Sequence, residues 1–328
     1  MLTAFFDMRK LPVNSDFFYF MTSATMAAQA AGCESFRVIV VPGAFGGFRD
    51  DQKYAASDLH WRYRSLILGA TKVFPACAGL LTARSLDEAR ALEKLAAGGP
   101  GYPGGYAVDH PEAAYLAGLF LPIAEAAKAG KTIPATRASD GARAFVRERL
   151  AKLAEGREVL TISLRECPYK TVVNSDPEAW ADVVRQIGPE RFKIVLVRDT
   201  HQVWGAPFGN ALDDLPQFPE AALDVDVRMA LYEQAYLNLW TANGASFGIG
   251  AFNPAIRFLQ FKNIGAHQAH RPEYFREWFL LDPDRGEQPP WFTREQRMTW
   301  RDEVPAEMMA EFASMVAHLE GAAERRAA

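Results

Sequence analysis

The sequence predicts an α/β protein made of two successive parallel-sheet domains. Short apolar runs rich in β-branched residues alternate with helical patterns, 328 residues exceed one ordinary domain, and the alternation pauses near Gly156 before restarting with the clearest strand of the chain. With 49% apolar and 23% charged residues the composition is that of a globular protein, so each domain can bury its own core.

Leu2–Phe6 reads as the first strand. A helix follows from about Asp16 to Ala31, capped by Asn14 or Ser15 and stopped at Gly32. Phe36–Val41 is a β-branched run ending in Pro42-Gly43, and this βαβ opening implies parallel strands with a right-handed crossover. A helical pattern from Tyr54 to about Thr71, a short apolar stretch Gly79–Thr82 and a helix after Ser85 with the acidic first turn Asp87-Glu88 continue the rhythm. The run GGPGYPGG, Gly98 to Gly105, breaks all periodicity and reads as a loop before a short strand, Tyr106–Val108.

In the second half a helix from Asp140 to Glu155 leads to Gly156 and the strand Glu158–Leu164. Asp176–Ile187 is a helix with Asp176 near its cap and Pro177 at its first position, where a missing N–H costs nothing. Phe192–Val197 is the next strand, Val225–Trp240 a helix, Thr241–Gly250 a glycine-rich loop, Ala255–Phe261 a strand, and Ala306–Arg325 an amphipathic helix that crosses over the domains. The pattern is that of two facing Rossmann-like domains, residues 1–145 and 146–285, with a C-terminal helical segment, 286–328.

Several function classes are excluded by composition. A net charge of -4 and a pI near 5.9 do not suit a nucleic-acid surface, which needs clustered Lys and Arg. Cys33, Cys77 and Cys167 are far apart and fit a reducing compartment. The N-terminus MLTAFFDMRK lacks a signal-peptide pattern, and the longest apolar stretch, Tyr115–Ala127, is too short to span a bilayer and carries Pro122 and Glu125. A cytoplasmic protein without a transmembrane segment is expected, peripheral membrane contact staying open. His267 and His270 have ligand-like spacing but no third ligand nearby, so no metal is expected.

The segment TISLRECPYKTVVNSDPEAW, from Thr161, puts Arg165, Lys170, Asn174 and Ser175 between the end of a strand and the start of a helix, where open α/β sheets bind ligands. Arg165 offers a planar donor fork for two phosphate oxygens, Lys170 a mobile cation, and the following helix N-terminus free backbone donors. Arg165 and Glu166 equally suit a local ion pair. Asp199 closes the next strand, and Trp204 beyond it suits stacking on a base or sugar. Glu233, on the helix after Tyr232, suits a ribose diol or a plain helix surface, and in Asn243-Gly244-Ala245-Ser246 small residues allow close backbone approach to a ligand. Phe17, Phe18, Tyr19 and Phe20 read as core packing.

The order of a strand ending in Arg165, Asn174-Ser175 before a Trp-containing helix, a strand ending in Asp199, a Tyr-Glu-x-Ala helix and an Asn-Gly loop resembles the C-terminal half of GT-B glycosyltransferases. The resemblance is in particular to bacterial surface-polysaccharide enzymes related distantly to the fucosyltransferases and heptosyltransferases, and it covers about residues 157–262. The resemblance implies transfer of a sugar from a nucleotide-diphosphate donor to a carbohydrate acceptor without metal or other cofactor. It gives acceptor recognition to the N-terminal domain and the donor to the C-terminal one. Arg165 then holds the diphosphate with Lys170 as helper, Asn243, Gly244, Ala245 and Ser246 lie near the diphosphate or donor sugar, and Glu233 lies near the ribose. The base comes from the N-terminal domain in such enzymes, where Asp7, Asp16 and His60 are the polar candidates near strand or helix ends.

Two rivals stay open: a catalytically silent sugar-nucleotide-binding or scaffolding protein, and a serine hydrolase. Gly244-Ala245-Ser246-Phe247-Gly248 is a literal G-x-S-x-G, and Asp282 or Asp284 and then His318 preserve the order of serine, acid and histidine. A nucleophile elbow needs a helix directly afterwards, however, and the glycines and Pro254 that follow argue against one.

Overall fold

Leu2–Asp7 (β1) is buried along its whole length, as a strand covered on both faces must be. It is the second-to-last strand of a four-stranded parallel sheet of order β3-β2-β1-β4, with β2 at Phe36–Val41, β3 at Cys77–Thr82 and β4 at Gly101–Tyr102. The computed structural model describes the chain except residues 51–53, 116, 169, 170, 266 and 328. The chain divides into two units, Met1–Arg137 and Ala138–Ala328.

In the first unit the crossovers are α1 (Phe17–Ala30), α2 (Ala56–Arg62) and α3 (Leu86–Ala96), followed by α4 (Ala117–Lys128). Helix α1 buries the predicted aromatic cluster, with Phe6 of β1 edge-on to Phe17 at 4.8 Å and to Phe20 at 5.2 Å between ring centres. Its cap position is Asp16 rather than Asn14 or Ser15. The helix predicted over 54–71 is α2 running into a π-helical turn, Tyr63–Leu68, and a 3-10 turn, Thr71–Val73. Gly43 after β2 is required by space, since a Cβ there would lie 2.1 Å from the Phe48 carbonyl oxygen and 2.6 Å from that of Met8. The glycine run corrects the sequence reading: it contains β4, which pairs with Thr3 and Ala4 of β1, whereas 106–108 is no strand and Ala107 makes only an isolated bridge with His110. A two-residue edge strand needs only backbone pairing, so glycine and proline around it hide it.

The second unit contains α5 (Asp140–Leu153), β5 (Glu158–Ser163), α6 (Pro177–Ile187), β6 (Phe192–Val197), α7 (Pro219–Leu223), α8 (Val225–Gln234), β7 (Leu237–Thr241), α9 (Gly244–Gly250), β8 (Phe258–Phe261), α10 (Pro272–Tyr274), β9 (Gln296–Met298) and α11 (Pro305–Ala327). The sheet is parallel with order β6-β5-β7-β8-β9. The predicted Val225–Trp240 helix stops at Gln234, and Leu237–Thr241 is a central strand buried at every residue. With both faces covered there is no alternation for a sequence pattern to show. The glycine-rich stretch after it is helix α9, capped by Asn243, whose side chain accepts from Ser246 N. Gly250 is small because Trp240 is there: a Cβ would come within 2.6 Å of its ring. Helix α11 lays Met308, Phe312, Met315 and Leu319 on a core with Trp180, Leu160, Leu239 and Phe261. Among the described residues no helix is long and apolar enough to cross a membrane.

Candidate functional site

The second unit's chain passes from β5 to β6 on one side and then returns to place β7 on the other. The carboxyl ends of β5 and β7 therefore flank the point where the strand order reverses, the crevice at which open α/β sheets receive ligands. Arg165 leaves β5 there. Its backbone is clamped to Ser175: Arg165 N donates to Ser175 Oγ at 2.8 Å and Ser175 N donates to Arg165 O at 3.0 Å. The guanidinium reaches across to β7, with Nη1 3.3 Å from Ala242 O. Among the described residues Arg165 has no carboxylate partner, and its Nε is buried without an acceptor.

Asn174 closes the loop between them, accepting from Cys167 N and donating to Cys167 O, each at 2.9 Å. The loop walls a cavity of about 320 Å³ lined by Arg165, Pro168, Asn174, Ser175, Gln202 and Phe208, among others. Lys170, the expected helper cation, lies outside the described residues. Glu166 is not the partner of Arg165. It binds Arg198 of the β6 end through Nη2 at 2.5 Å and Nε at 3.1 Å, a pair whose side chains are only 5% and 14% exposed. Asp199 accepts from Glu166 N at 3.4 Å and faces His201 Nδ1 at 3.6 Å. Burial pushes the Asp199 carboxyl up, but the neighbouring His201 ring, with the charge of Arg228 and the Glu166 amide, outweighs it and holds the group below its usual value. Trp204 stands 78% exposed in the loop beyond.

The β7 side is supported by a residue that sequence reasoning misses. Glu303, in the segment before α11, has a side chain only 1% exposed. It accepts from Trp180 Nε1 at 2.8 Å, from Asp176 N at 2.7 Å and from Thr241 Oγ1, with Lys262 Nζ 3.7 Å away. Burial raises its pKa, and those bonds only partly offset the rise. Thr241 in turn lies 2.5 Å from Ser175 Oγ. Glu303 is separated from Trp180 by 123 positions and from Asp176 by 127, so no motif could announce it.

The other expected residues are placed as follows. Asn243 serves as the cap of α9 and also donates to Thr241 O at 2.9 Å; Gly244 and Ala245 occupy the first helical positions, where amides lack intrahelical acceptors. Ser246 is fully buried, its hydroxyl 3.1 Å from Tyr232 Oη, which also meets Ser163 Oγ at 2.7 Å. This corrects both halves of the hydrolase reading: a helix does follow β7, but Ser246 sits inside it facing a tyrosine, while Asp282 binds Arg276 and Arg285. Glu233 is engaged by other parts of the second unit. Its carboxylate, 6% exposed, accepts from Ala138 N at 2.8 Å, Asn253 Nδ2 at 2.7 Å and Arg143 Nε at 2.7 Å, joining α5 and the loop before β8 to α8.

In the first unit the reversal of strand order falls between β1 and β4. Asp7 ends β1 there, fully buried, with Arg9 Nη2 at 2.6 Å and Tyr106 Oη at 2.7 Å. The hydrogen bond to Asp7 raises Arg9, and burial followed by the Asp7 charge raises Tyr106. Asp16 accepts from Asn14 Nδ2 at 2.9 Å, and His60 lies on the exposed face of α2 with its ring 4.9 Å from that of Phe48. Among the described residues no group of three or more His, Cys, Asp or Glu side chains is arranged to hold a metal ion.

Two α/β units built on parallel sheets, together with the likeness to solved structures that follows, make the chain GT-B-like in fold. It is similar over nearly its whole length to two solved structures. One is the ADP-heptose lipopolysaccharide heptosyltransferase II of E. coli, with TM-score 0.53, 12% identity and coverage of 98% of this chain and 99% of that one. The other is a family 9 glycosyl transferase of Veillonella parvula, with TM-score 0.52, 10% identity and coverage of 97% of each chain. The chain matches no known protein-family profile and no curated protein.

Proposed function

We propose that the protein is a glycosyltransferase that moves a sugar from a nucleoside-diphosphate donor to a carbohydrate acceptor in cell-surface polysaccharide synthesis, with the donor diphosphate held by the second unit. The observation that carries this is Arg165: a guanidinium without a carboxylate partner among the described residues, beside a cavity, where the strand order reverses. Nearby carboxylates do not neutralise it, because Glu166 is committed to Arg198. In the reaction the acceptor hydroxyl oxygen bonds to the anomeric carbon and loses its proton, while the bond from that carbon to the donor phosphate oxygen breaks. Negative charge then grows on the departing diphosphate, and a planar cation fixed through its backbone stabilises that charge with little reorganisation. Asn243 caps α9 directly after β7, and Gly244 and Ala245 in its first turn are small enough to allow a ligand close to the backbone. The charge stabilisation is supplied by side chains and backbone, with no divalent ion required.

A second reading, a sugar-nucleotide-binding protein without transfer, is favoured by one observation. Asp7, the strand-end acid among the candidate bases, is fully buried and bound to both Arg9 and Tyr106, so it presents no face to an acceptor hydroxyl. A thermal-shift panel of ADP, GDP and UDP, followed by assays for consumption of the matching sugar nucleotide, separates the two. Stabilisation with turnover supports the transferase, and stabilisation without turnover by any donor supports the binding protein. Absence of stabilisation by every nucleoside diphosphate refutes both.

A further inference from the structure

Arg165, Ser175, Thr241 and Glu303 form one directed chain of hydrogen bonds. The Trp180 indole and the Asp176 amide can only donate, so both oxygens of Glu303 act as acceptors, and with the acid ionised the Thr241 hydroxyl must point its proton at the carboxylate. Thr241 then has only lone pairs to offer Ser175, whose hydroxyl, 2.5 Å away, must donate to it. Ser175 Oγ is thereby left as an acceptor, and the Arg165 amide, at 2.8 Å, fills that place. The polarity of each hydroxyl is set by the buried acid at the far end.

We infer that Glu303 is a positioning residue for the second unit's anion site, fixing the Arg165 backbone through Thr241 and Ser175. This rests on the reading that Arg165 holds the donor diphosphate. The acid is itself delivered by packing: α11 begins two residues later, at Pro305, and its buried Met308, Phe312, Met315 and Leu319 dock it on the sheet core. The same acid holds Asp176 N and Trp180 of α6, so one side chain secures the β5 loop, the start of α6 and the end of β7. Guanidinium geometry decides how well two phosphate oxygens are met, and a loosened backbone amide would let Arg165 drift from the crevice.

Glu303→Gln is the direct variant, but its amide can turn a donor toward Asp176 N and so disturb α6 as well. Thr241→Val cuts the chain in its middle and keeps the bonds from Trp180 and Asp176 to Glu303, losing besides only the longer 3.3 Å bond from Trp180 Nε1 to Thr241 Oγ1, while Thr241→Ser keeps the hydroxyl. The first measurement is hydrogen exchange of the Arg165 amide by nuclear magnetic resonance, without ligand; the second is the dissociation constant for inorganic pyrophosphate by calorimetry. Thr241→Val is expected to speed Arg165 exchange and weaken pyrophosphate binding, each by about tenfold, with both restored in Thr241→Ser. A Thr241→Val protein that melts cooperatively yet keeps wild-type exchange or wild-type affinity overturns the inference. If wild-type protein binds no pyrophosphate or nucleoside diphosphate, the donor reading falls separately, and the ligand-free exchange still decides whether the relay holds Arg165.

Discussion

The two units carry the same topological feature and finish it in opposite ways. In the first, the strand at the reversal point ends in Asp7, an anion closed off by Arg9 and Tyr106. In the second, the strand is followed two positions on by Arg165, a cation whose backbone is tightly held while its side chain lacks a counter-charge among the described residues. A charge that is paired and buried contributes to the fold, and removing its partner is costly. A charge held in place without a partner contributes little to the fold and is available to a ligand. The contrast is the structural support for proposing anion binding in the second unit.

Substitutions at the two strand ends should therefore separate stability from binding. Asp7→Ala leaves the Arg9 guanidinium and the Tyr106 hydroxyl without their acceptor, and chemical denaturation should show a loss of roughly 2–4 kcal/mol with nucleoside-diphosphate affinity unchanged. Gly43→Ala forces a Cβ against two carbonyl oxygens and should cost about 1–3 kcal/mol in the same measurement, again without effect on binding. Arg165→Ala should shift stability by less than about 1 kcal/mol, because only one long hydrogen bond is lost.

The smallest effects are those of pH, and the two carboxylates of the second unit give opposite signs. Asp199, held below its usual value, contributes stability that is present above pH 3.8 and lost as pH falls through its lowered folded value. Glu303, raised above its usual value, binds its proton more tightly folded than unfolded, so its contribution is present below pH 4.5 and lost as pH rises through the raised value. Urea midpoints measured from acid to neutral pH should show a shallower acid loss in Asp199→Asn and a smaller decline on the alkaline side of 4.5 in Glu303→Gln. A parallel pH profile for wild type and both variants would contradict these assignments.

Much of the architecture is legible in the residues, and so is one side of the crevice. Phe36–Val41 and Phe192–Val197 are strands with the bounds that their β-branched runs announce, and Pro177 marks the start of α6. Arg165 and Ser175 are readable because they lie within a dozen positions of one another in a single loop. What is hidden depends on tertiary contact: β7 is buried on both faces and shows no alternation, β4 is two residues of backbone pairing, and α9 is a helix with three glycines, one of them packed against Trp240. Glu233 illustrates the converse. Its place in a Tyr-Glu helix suggests a ribose, but the fold surrounds it with Arg143, Asn253 and the Ala138 amide, none of which is near it in sequence. Glu303 is hidden for the same reason.

Calorimetric titration of wild type and Arg165→Ala with inorganic pyrophosphate and with ADP, GDP and UDP tests the central assignment most directly. The account predicts that wild type binds at least one of these and that Arg165→Ala, at nearly unchanged melting temperature, loses about 1.5–3 kcal/mol of affinity, roughly ten- to hundredfold, because charge-assisted bonds to phosphate disappear. Equal affinity in a folded Arg165→Ala protein would contradict it.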